Sequence, residues 1–466
     1  MRALLLRPAA RERFGLGPFF RVEPLGLEYL AAALHRVGHS AEIRDLRLGS
    51  GLGRQRPGLV GISCIHTLDV PETRALARRV KARWPGTFVM VGGHAAAADP
   101  EAFSGPEVDA VGLGAGERSV PRLVSALARG ESLSGLSGFR LRARDLVRAP
   151  TADDDGLDPS LLPARELVAG HRKHYRCVHR SPIWALETGR GCPFRCSFCA
   201  VGRADSYRPR DIDAVCRDFA QVGADVFVID DLFFYPRDRS RELALELRKR
   251  GVKKRWILVQ TRADTVARSA DVLEAWRPLA ERFDLFFGFE AATDRALSAL
   301  QKDATIADSE EAVRLCRSLE FGVTGNFVVD PDWGESDFED LWALLDRLRL
   351  DRVGFTVLTP LPGTEYYAQQ RARLAERDFS RFDMHHVLWE PRLGRRRFYE
   401  LMVSSWKKNV LSSGNASRRW LKWFRGIGVR EALALAGVLY RTQRLMDVDA
   451  YLDDTFPLEL PAVLTE

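Results

Sequence analysis

Three cysteines carry the clearest chemistry in this chain. Cys192, Cys196 and Cys199 lie in Arg190-Gly-Cys-Pro-Phe-Arg-Cys-Ser-Phe-Cys199. Thiolates are soft ligands, suited to zinc and to iron–sulfur clusters. The C-x3-C-x2-C spacing brings three of them within eight residues. Clusters that only carry electrons are held by four cysteines. Three leave one iron with an open position, which can take a substrate. A structural zinc site would need a fourth Cys or His at a regular offset, and none follows Cys199 nearby. The other four cysteines are of two kinds. Cys64, Cys216 and Cys316 sit in apolar patterns and read as small buried residues. Cys177 has basic and polar neighbours. An odd total of seven, three of them clustered, fits a reducing compartment and a metal better than a disulfide framework.

The cysteine loop follows Ile183-Trp-Ala-Leu-Glu187, which reads as a strand. Parallel α/β folds place their chemistry at the C-terminal ends of such strands. Five more strand candidates follow, at Val226–Ile229, Trp256–Gln260, Leu285–Phe289, Val323–Val329 and Val353–Leu358, with helical stretches such as Ser240–Arg250 and Glu310–Leu319 between them. This predicts an open (β/α)6 barrel over 181–370. Polar residues recur where these strands end: Asp230 and Asp231, Gln260 and Arg262, and Glu290. Asn326 lies within the fifth strand, and Thr359-Pro-Leu-Pro-Gly-Thr364 follows the sixth. Taken singly, each is more often a cap or an ion-pair partner. Their recurrence at successive ends predicts a shared site.

Residues 1–150 read as a separate α/β unit of the Rossmann-like class. Strands are expected at Arg2–Arg7, Ala41–Leu46, Leu59–Ile65, Thr87–Val91 and Val108–Leu113. Helices are expected at Pro24–Gly38, Pro71–Trp84 and Val120–Arg129. The strand ends carry Ser63 and His66, then Gly92, Gly93 and His94, then Gly114, Gly116 and Glu117. Small residues there let a flat ligand approach the backbone. Gly-x-Gly-x-Gly alone is a weak signal, and it is not the dinucleotide fingerprint.

Residues 151–180 read as a connector, with an acidic, turn-rich start at Asp153-Asp-Asp-Gly-Leu-Asp-Pro159. His171, His174, His179 and Cys177 lack compact ligand spacing, so a solvated or domain-packing segment is the better reading. Residues 371–466 read as helical, at Arg397–Asn409 and Arg430–Met446. Positions 391–430 hold eleven Lys and Arg against the single acid Glu400, so the net charge of +7 is a local feature. Within it, Arg418-Arg-Trp-Leu-Lys-Trp-Phe-Arg425 interleaves bases with aromatics, a pattern that suits a headgroup layer. A packed helix with a solvated basic face is the plainer alternative. Nucleic acid, the other partner of such stripes, is disfavoured for lack of an RNA-binding module. With 466 residues, 46% of them hydrophobic, and no apolar run of 18, the chain is expected to be globular and without a transmembrane helix. The apolar stretch in Met-Arg-Ala-Leu-Leu-Leu-Arg-Pro is too short for a signal peptide. A cytoplasmic location is expected, with peripheral membrane contact left open.

The cysteine loop, with Phe198 before its third cysteine, resembles the signature of the radical S-adenosylmethionine (SAM) enzymes. That resemblance implies a 4Fe–4S cluster on Cys192, Cys196 and Cys199, with SAM on the fourth iron. It places the backbone of Asp230 and Asp231 near the SAM amino group, and Arg262 and Glu290 near its carboxylate and ribose. Gln260 and Asn326 are looser SAM contacts, and Phe198 belongs to the same site. The stretches Pro24-Leu-Gly-Leu-Glu28, Val91-Gly-Gly-His94 and Gly114-Ala-Gly-Glu117 resemble the cobalamin-binding domain found before many such cores. This implies cobalamin contacts from Ser63, His66, Gly92, Gly93, His94, Gly114, Gly116 and Glu117. The mutase-type Asp-x-His-x-x-Gly is absent: Asp45-Leu-Arg-Leu-Gly49 has no histidine to offer the lower face of cobalt.

A closer resemblance, over about 1–410, is to the hopanoid C-3 methylases. It rests on Val228-Ile-Asp-Asp-Leu-Phe-Phe234, Gly288-Phe-Glu-Ala291, Val329-Asp-Pro-Asp-Trp333, Thr359-Pro-Leu-Pro-Gly-Thr364, Glu376-Arg-Asp-Phe379 and Phe382-Asp-Met-His-His386. It implies radical C-methylation of an unactivated sp3 carbon of a lipid-like substrate, with a reducing electron donor such as a flavodoxin or ferredoxin. A cobalamin-dependent radical SAM cyclase would use the same domains without methyl transfer. A metal-stabilised RNA-binding protein is the alternative from a different class.

Overall fold

A computed structural model describes residues 1–9, 20–142, 146–148, 157–201, 207–374, 379–411 and 429–453. Residues 153–156 of the connector's acidic start, 376–378 and the basic stripe 418–425 lie outside the described residues.

The first sheet has seven strands: β1 (Arg2–Arg7), β2 (Ser40–Asp45), β3 (Leu59–Ser63), β4 (Phe88–Gly92), β5 (Ala110–Gly112), β6 (Phe139–Leu141) and β7 (Leu146–Arg148). Their order is β2-β1-β3-β4-β5-β6-β7. The first five are parallel, and β6 and β7 add an antiparallel edge. The sequence pattern carried no sign of that edge, because its strands are short and follow the last helix rather than alternating with it. Helices α1 (Leu25–Arg36), α2 (Val70–Arg83) and α3 (Gly116–Arg129) pack on the faces. The buried runs Ala3–Leu6 and Val89–Val91 explain why these strands read as continuous apolar segments. The order 2-1-3-4-5 reverses direction between β1 and β3. Ligands of doubly wound sheets bind at such a switch point, beyond the carboxyl ends of the strands.

The second sheet has six parallel strands in sequential order: β8 (Trp184–Leu186), β9 (Asp225–Val228), β10 (Lys254–Thr261), β11 (Ala280–Glu290), β12 (Gly322–Val329) and β13 (Arg352–Val357). Helices α4 (Ile212–Gln221), α5 (Arg237–Lys249), α6 (Ile306–Ser318) and α7 (Glu335–Leu348) cover the outside. All six expected strands are present, and the open barrel is the expected one. Its core is strongly aromatic. Trp276 lies among Phe219, Phe233, Phe234 and Phe283, and donates its indole N–H to the Ser240 carbonyl at 3.0 Å. Beyond the barrel, α8 (Arg395–Leu411) and α9 (Val429–Thr442) form the expected helical region.

The connector joins the two units through buried charge. Arg165 donates to both oxygens of Asp218 at 2.8 Å, to Glu23 at 3.0 Å and to the Ala185 carbonyl at 2.8 Å. Glu23 also accepts from the Ala185 amide at 2.6 Å, so a residue just ahead of α1 reaches the first barrel strand. Residues Arg176–Cys177 pair antiparallel with Phe20–Arg21. The connector is thus a packing segment, as its ligand spacing suggested. Among the described residues no three His, Cys, Asp or Glu side chains gather as ligands of one metal ion would.

Candidate active site

The carboxyl ends of the two sheets come together, and the cysteine loop lies where they meet. It is fixed at several points. The Gly191 amide donates to Asp231 at 2.8 Å. The Ser197 amide donates to the Leu300 carbonyl at 3.0 Å, and the Ser197 carbonyl accepts from the Tyr366 amide at 2.9 Å. Phe198 packs against an apolar cluster that includes Val328, Leu358, Tyr366 and Trp389. Cys192, Cys196 and Cys199 are in no disulfide among the described residues, and all three are half-buried. Desolvation pushes the Cys192 thiol up to about 11, and the other two cysteines are close enough to add to that shift. Three thiols carried on one short loop suit metal, which displaces their protons. A cluster binds each thiolate to a different iron, so its ligands stand further apart than those of a single ion. The donor set therefore fits a cluster with one open iron.

Arg262 flanks the loop. Its guanidinium donates to Cys196 Sγ at 3.5 Å, to Asp264 at 2.9 Å and to the Asp303 carbonyl at 3.1 Å, and its carbon lies 3.7 Å from the centre of the Phe194 ring. Asp230 is buried and accepts from both the amide (2.7 Å) and the hydroxyl of Thr188. Burial raises its carboxyl to about 7 despite those hydrogen bonds. Its side chain thus ties β9 to the end of β8. Glu290 sits at a register shift with φ of 67°, and accepts from Lys302 at 2.9 Å. Asn326 donates to Thr356 at 3.1 Å. Gln260 is half-buried, and its carbonyl accepts from Phe233. The expected residues therefore gather at one mouth, several of them already held by partners.

The mouth of the first sheet is built differently. Arg7, at the end of β1, donates to Asp69 at 3.1 Å across the switch point. Ser63 ends β3, and its carbonyl faces Arg7 at 3.5 Å. His66 and His94 are both exposed. Protein crowds His66 enough that desolvation holds its imidazole below the ordinary value, with Asp69 opposing. Gly92 has open space where a side chain would project, and Gly93 has φ of 111°, with its Cβ position only 2.4 Å from the Cys64 carbonyl. Gly114 is exposed. A Cβ on Gly116 would strike Leu30 at 2.6 Å, so that glycine serves helix packing. Asp45 is buried and chelated by Arg47, so the segment that carries the histidine in mutase-type sites turns inward here. Open strand ends at a switch point fit a large flat ligand such as a corrin.

One group was not foreseen. Glu117 does not face open space: its carboxylate is taken by Arg190 (2.9 Å), Arg210 (3.1 Å) and the Asp158 amide (2.8 Å). Glu187, Arg210 and Tyr29 complete the cluster, with the Arg210 guanidinium 3.6 Å from the Tyr29 ring centre. Nothing in the sequence links Glu117 to residues some 70 to 90 positions later. His94 lies near enough to Asp231 to favour that carboxylate's charged form, although desolvation dominates and raises the group.

Comparison with known proteins assigns both units to families. Residues 18–124 match the B12 binding domain family and residues 186–345 the Radical SAM superfamily. The cobalamin-dependent radical SAM enzyme OxsB superposes with a TM-score of 0.71 at 16% identity, covering 96% of this chain and 71% of that one. These matches define the class as a cobalamin-binding domain followed by a radical SAM barrel. The hopanoid C-3 methylase of Methylococcus capsulatus (strain ATCC 33009 / NCIMB 11132 / Bath) is 31% identical over 96% of this chain and 89% of its own length. The anaerobic magnesium-protoporphyrin IX monomethyl ester cyclase of Cereibacter sphaeroides is 24% identical over 88% of this chain and 70% of its own. The chain belongs to the cobalamin-dependent radical SAM methyltransferases, the family of that hopanoid methylase. It is an enzyme whose cofactors are a 4Fe–4S cluster, SAM and cobalamin.

Proposed function

We propose that this methyltransferase adds a methyl group to an unactivated sp3 carbon, C-3 of a hopanoid-like triterpenoid. The likeness to the hopanoid C-3 methylase across nearly the whole chain carries the reading. When bound, the cofactors supply a reductant, a carbon radical and a transferable methyl group, chemistry that no side chain here provides. The chain's part is to hold and exclude. Cys192, Cys196 and Cys199 would ligate the cluster. The Asp231–Gly191 and Ser197–Leu300 hydrogen bonds fix their loop. Gly92, Gly93, Gly114, Ser63, His66 and His94 would contact the corrin, with Gln260, Arg262, Glu290, Asn326 and the Asp230–Asp231 backbone around SAM. Exposed apolar side chains stand at both mouths. Ile65 follows β3, and Met384, whose carbonyl accepts from the Val357 amide, comes three residues after the Phe379–Arg381 turn that packs onto Thr67–Asp69. They suit an apolar polycyclic substrate.

The partners follow from that chemistry: an external low-potential donor, such as a flavodoxin or ferredoxin, and a bilayer as the reservoir of the substrate. No described helix is long and apolar enough to cross a membrane. Helix α9 does carry Val429, Leu433 and Tyr440 exposed on one side, next to the basic run of the sequence, which supports a peripheral contact. A second reading, cyclisation without methyl transfer, draws on the likeness to the ester cyclase. Anaerobic reconstitution with iron, sulfide, cobalamin, reductant and methyl-labelled SAM separates the two. Label in a triterpenoid product is the expected result. 5′-Deoxyadenosine with unlabelled product would favour the cyclase, and co-sedimentation with anionic vesicles tests the membrane contact.

A further inference from the structure

Glu117 follows the Gly114-Ala-Gly116 turn and occupies the first turn of α3, at the mouth of the first sheet. Its Oε1 accepts from Arg190 at 2.9 Å and Arg210 at 3.1 Å, and its Oε2 from the Asp158 amide at 2.8 Å. Arg190 also donates to both oxygens of Glu187, at 2.8 and 2.9 Å. Two carboxylates and two guanidiniums thus balance in one cluster, in which Glu117, Glu187 and Arg210 are buried and Arg190 is half-buried, with Tyr29 of α1 against Arg210. Arg190 stands two residues before Cys192, and the intervening Gly191 amide is held by Asp231. Forked guanidinium–carboxylate contacts are directional, so such a cluster fixes geometry as well as contact.

We propose that Glu117 is a positioning residue that clamps the mouth of the cobalamin domain to the cluster loop, and so sets the separation at which radical formation and methyl transfer are coupled. This rests on the methyl-transfer reading above. The side chain touches no cofactor in this role; it acts through Arg190 and Arg210. Loosening the clamp leaves cluster chemistry intact and misplaces the methyl donor, to which transfer is sensitive at the ångström scale.

The test is Glu117→Gln in the full-length holoenzyme, which keeps the shape and removes the charge. 5′-Deoxyadenosine formation should stay within about twofold of wild type, while methylated product per 5′-deoxyadenosine falls about tenfold. Arg190→Lys, which keeps the charge and loses the fork, should move the ratio the same way by less, and it remains informative if Glu117→Gln folds poorly. In the cofactor-free chain, hydrogen exchange at 187–191 should accelerate in both variants. An unchanged product ratio together with unchanged exchange overturns the proposal. So does loss of the corrin spectrum with normal exchange, which would make Glu117 a cofactor contact. If wild type yields no methylated product, the functional reading fails, and the exchange measurement still decides the clamp.

Discussion

The two mouths solve different binding problems. At the barrel, the polar side chains are tied to each other: Asp230 to Thr188, Asp231 to Gly191, Arg262 to Asp264 and Cys196, and Glu290 to Lys302. At the cobalamin domain, the strand ends offer glycine backbone, two exposed histidines and room. A cluster and a small polar cofactor need ligands preset in direction. A broad flat ring needs side chains removed. The contrast teaches where each mouth is vulnerable: the barrel to loss of a group, the cobalamin domain to gain of one.

Cys196→Ala should have the largest effect. It leaves two thiolates and removes the sulfur that Arg262 faces. Reconstituted protein should lose the iron–sulfur absorption and form no 5′-deoxyadenosine above the cluster-free background, while retaining corrin. Retained radical formation would break the assignment of the barrel mouth.

At the other mouth, Gly93→Ala should be severe and Gly92→Ala mild for the fold. An alanine Cβ at 93 would sit 2.4 Å from the Cys64 carbonyl with φ held at 111°. A cost of about 2–4 kcal/mol in denaturant unfolding is expected. At 92 nothing lies within 4 Å, so stability should hold while corrin retention on purification falls. Equal corrin retention in Gly92→Ala and wild type would mean that the open space there is not the ligand's.

Arg262→Gln probes the same contrast more gently. Hydrogen bonds to cluster sulfurs raise the reduction potential. The cluster should still assemble, with its potential shifted down and 5′-deoxyadenosine formation slowed about tenfold, a barrier change of about 1.4 kcal/mol. An unchanged potential by redox titration with EPR would separate the arginine from the cluster's electronics.

The fold was largely legible, and the reason lies in particular elements. Strands such as Val226–Ile229 and Val323–Val329 carry no exposed residue among those in the observed strands, so they appear as largely apolar runs whose ends fall within a residue or two of those observed. The cysteine loop was legible because ligand spacing is local. The antiparallel pair Phe139–Leu141 and Leu146–Arg148 was not, since three residues carry no period. The ion pairs of Glu117 were not legible, because its Gly-x-Gly context is local, while its partners Arg190 and Arg210 come from the other unit. Arg165 was likewise invisible inside a segment that read only as a connector. Sequence patterns report what a residue's neighbours are like, and long-range ion pairs have no pattern.

The smallest expected effect sets the two mouths against each other in pH. Burial lifts the Asp230 carboxyl from its ordinary 3.8 to about 7. The folded chain then binds a proton that the unfolded chain has released, so this contribution is fully present below pH 4 and is lost as pH rises through 7. Desolvation moves His66 the other way, below its ordinary 6.5. Its contribution is present above 6.5 and lost as pH falls. In cofactor-free protein, Asp230→Asn should therefore flatten the fall in stability between pH 5 and 7, by no more than about 1.4 kcal/mol per pH unit. His66→Asn should remove a smaller rise with pH below 6.5, reduced because the ring meets solvent. Urea unfolding of both variants from pH 5 to 8 reads the signs directly. Slopes of the same sign would mean that the two mouths do not differ in the way their burial dictates, and that the tied carboxylate of Asp230 is ionised in the folded chain.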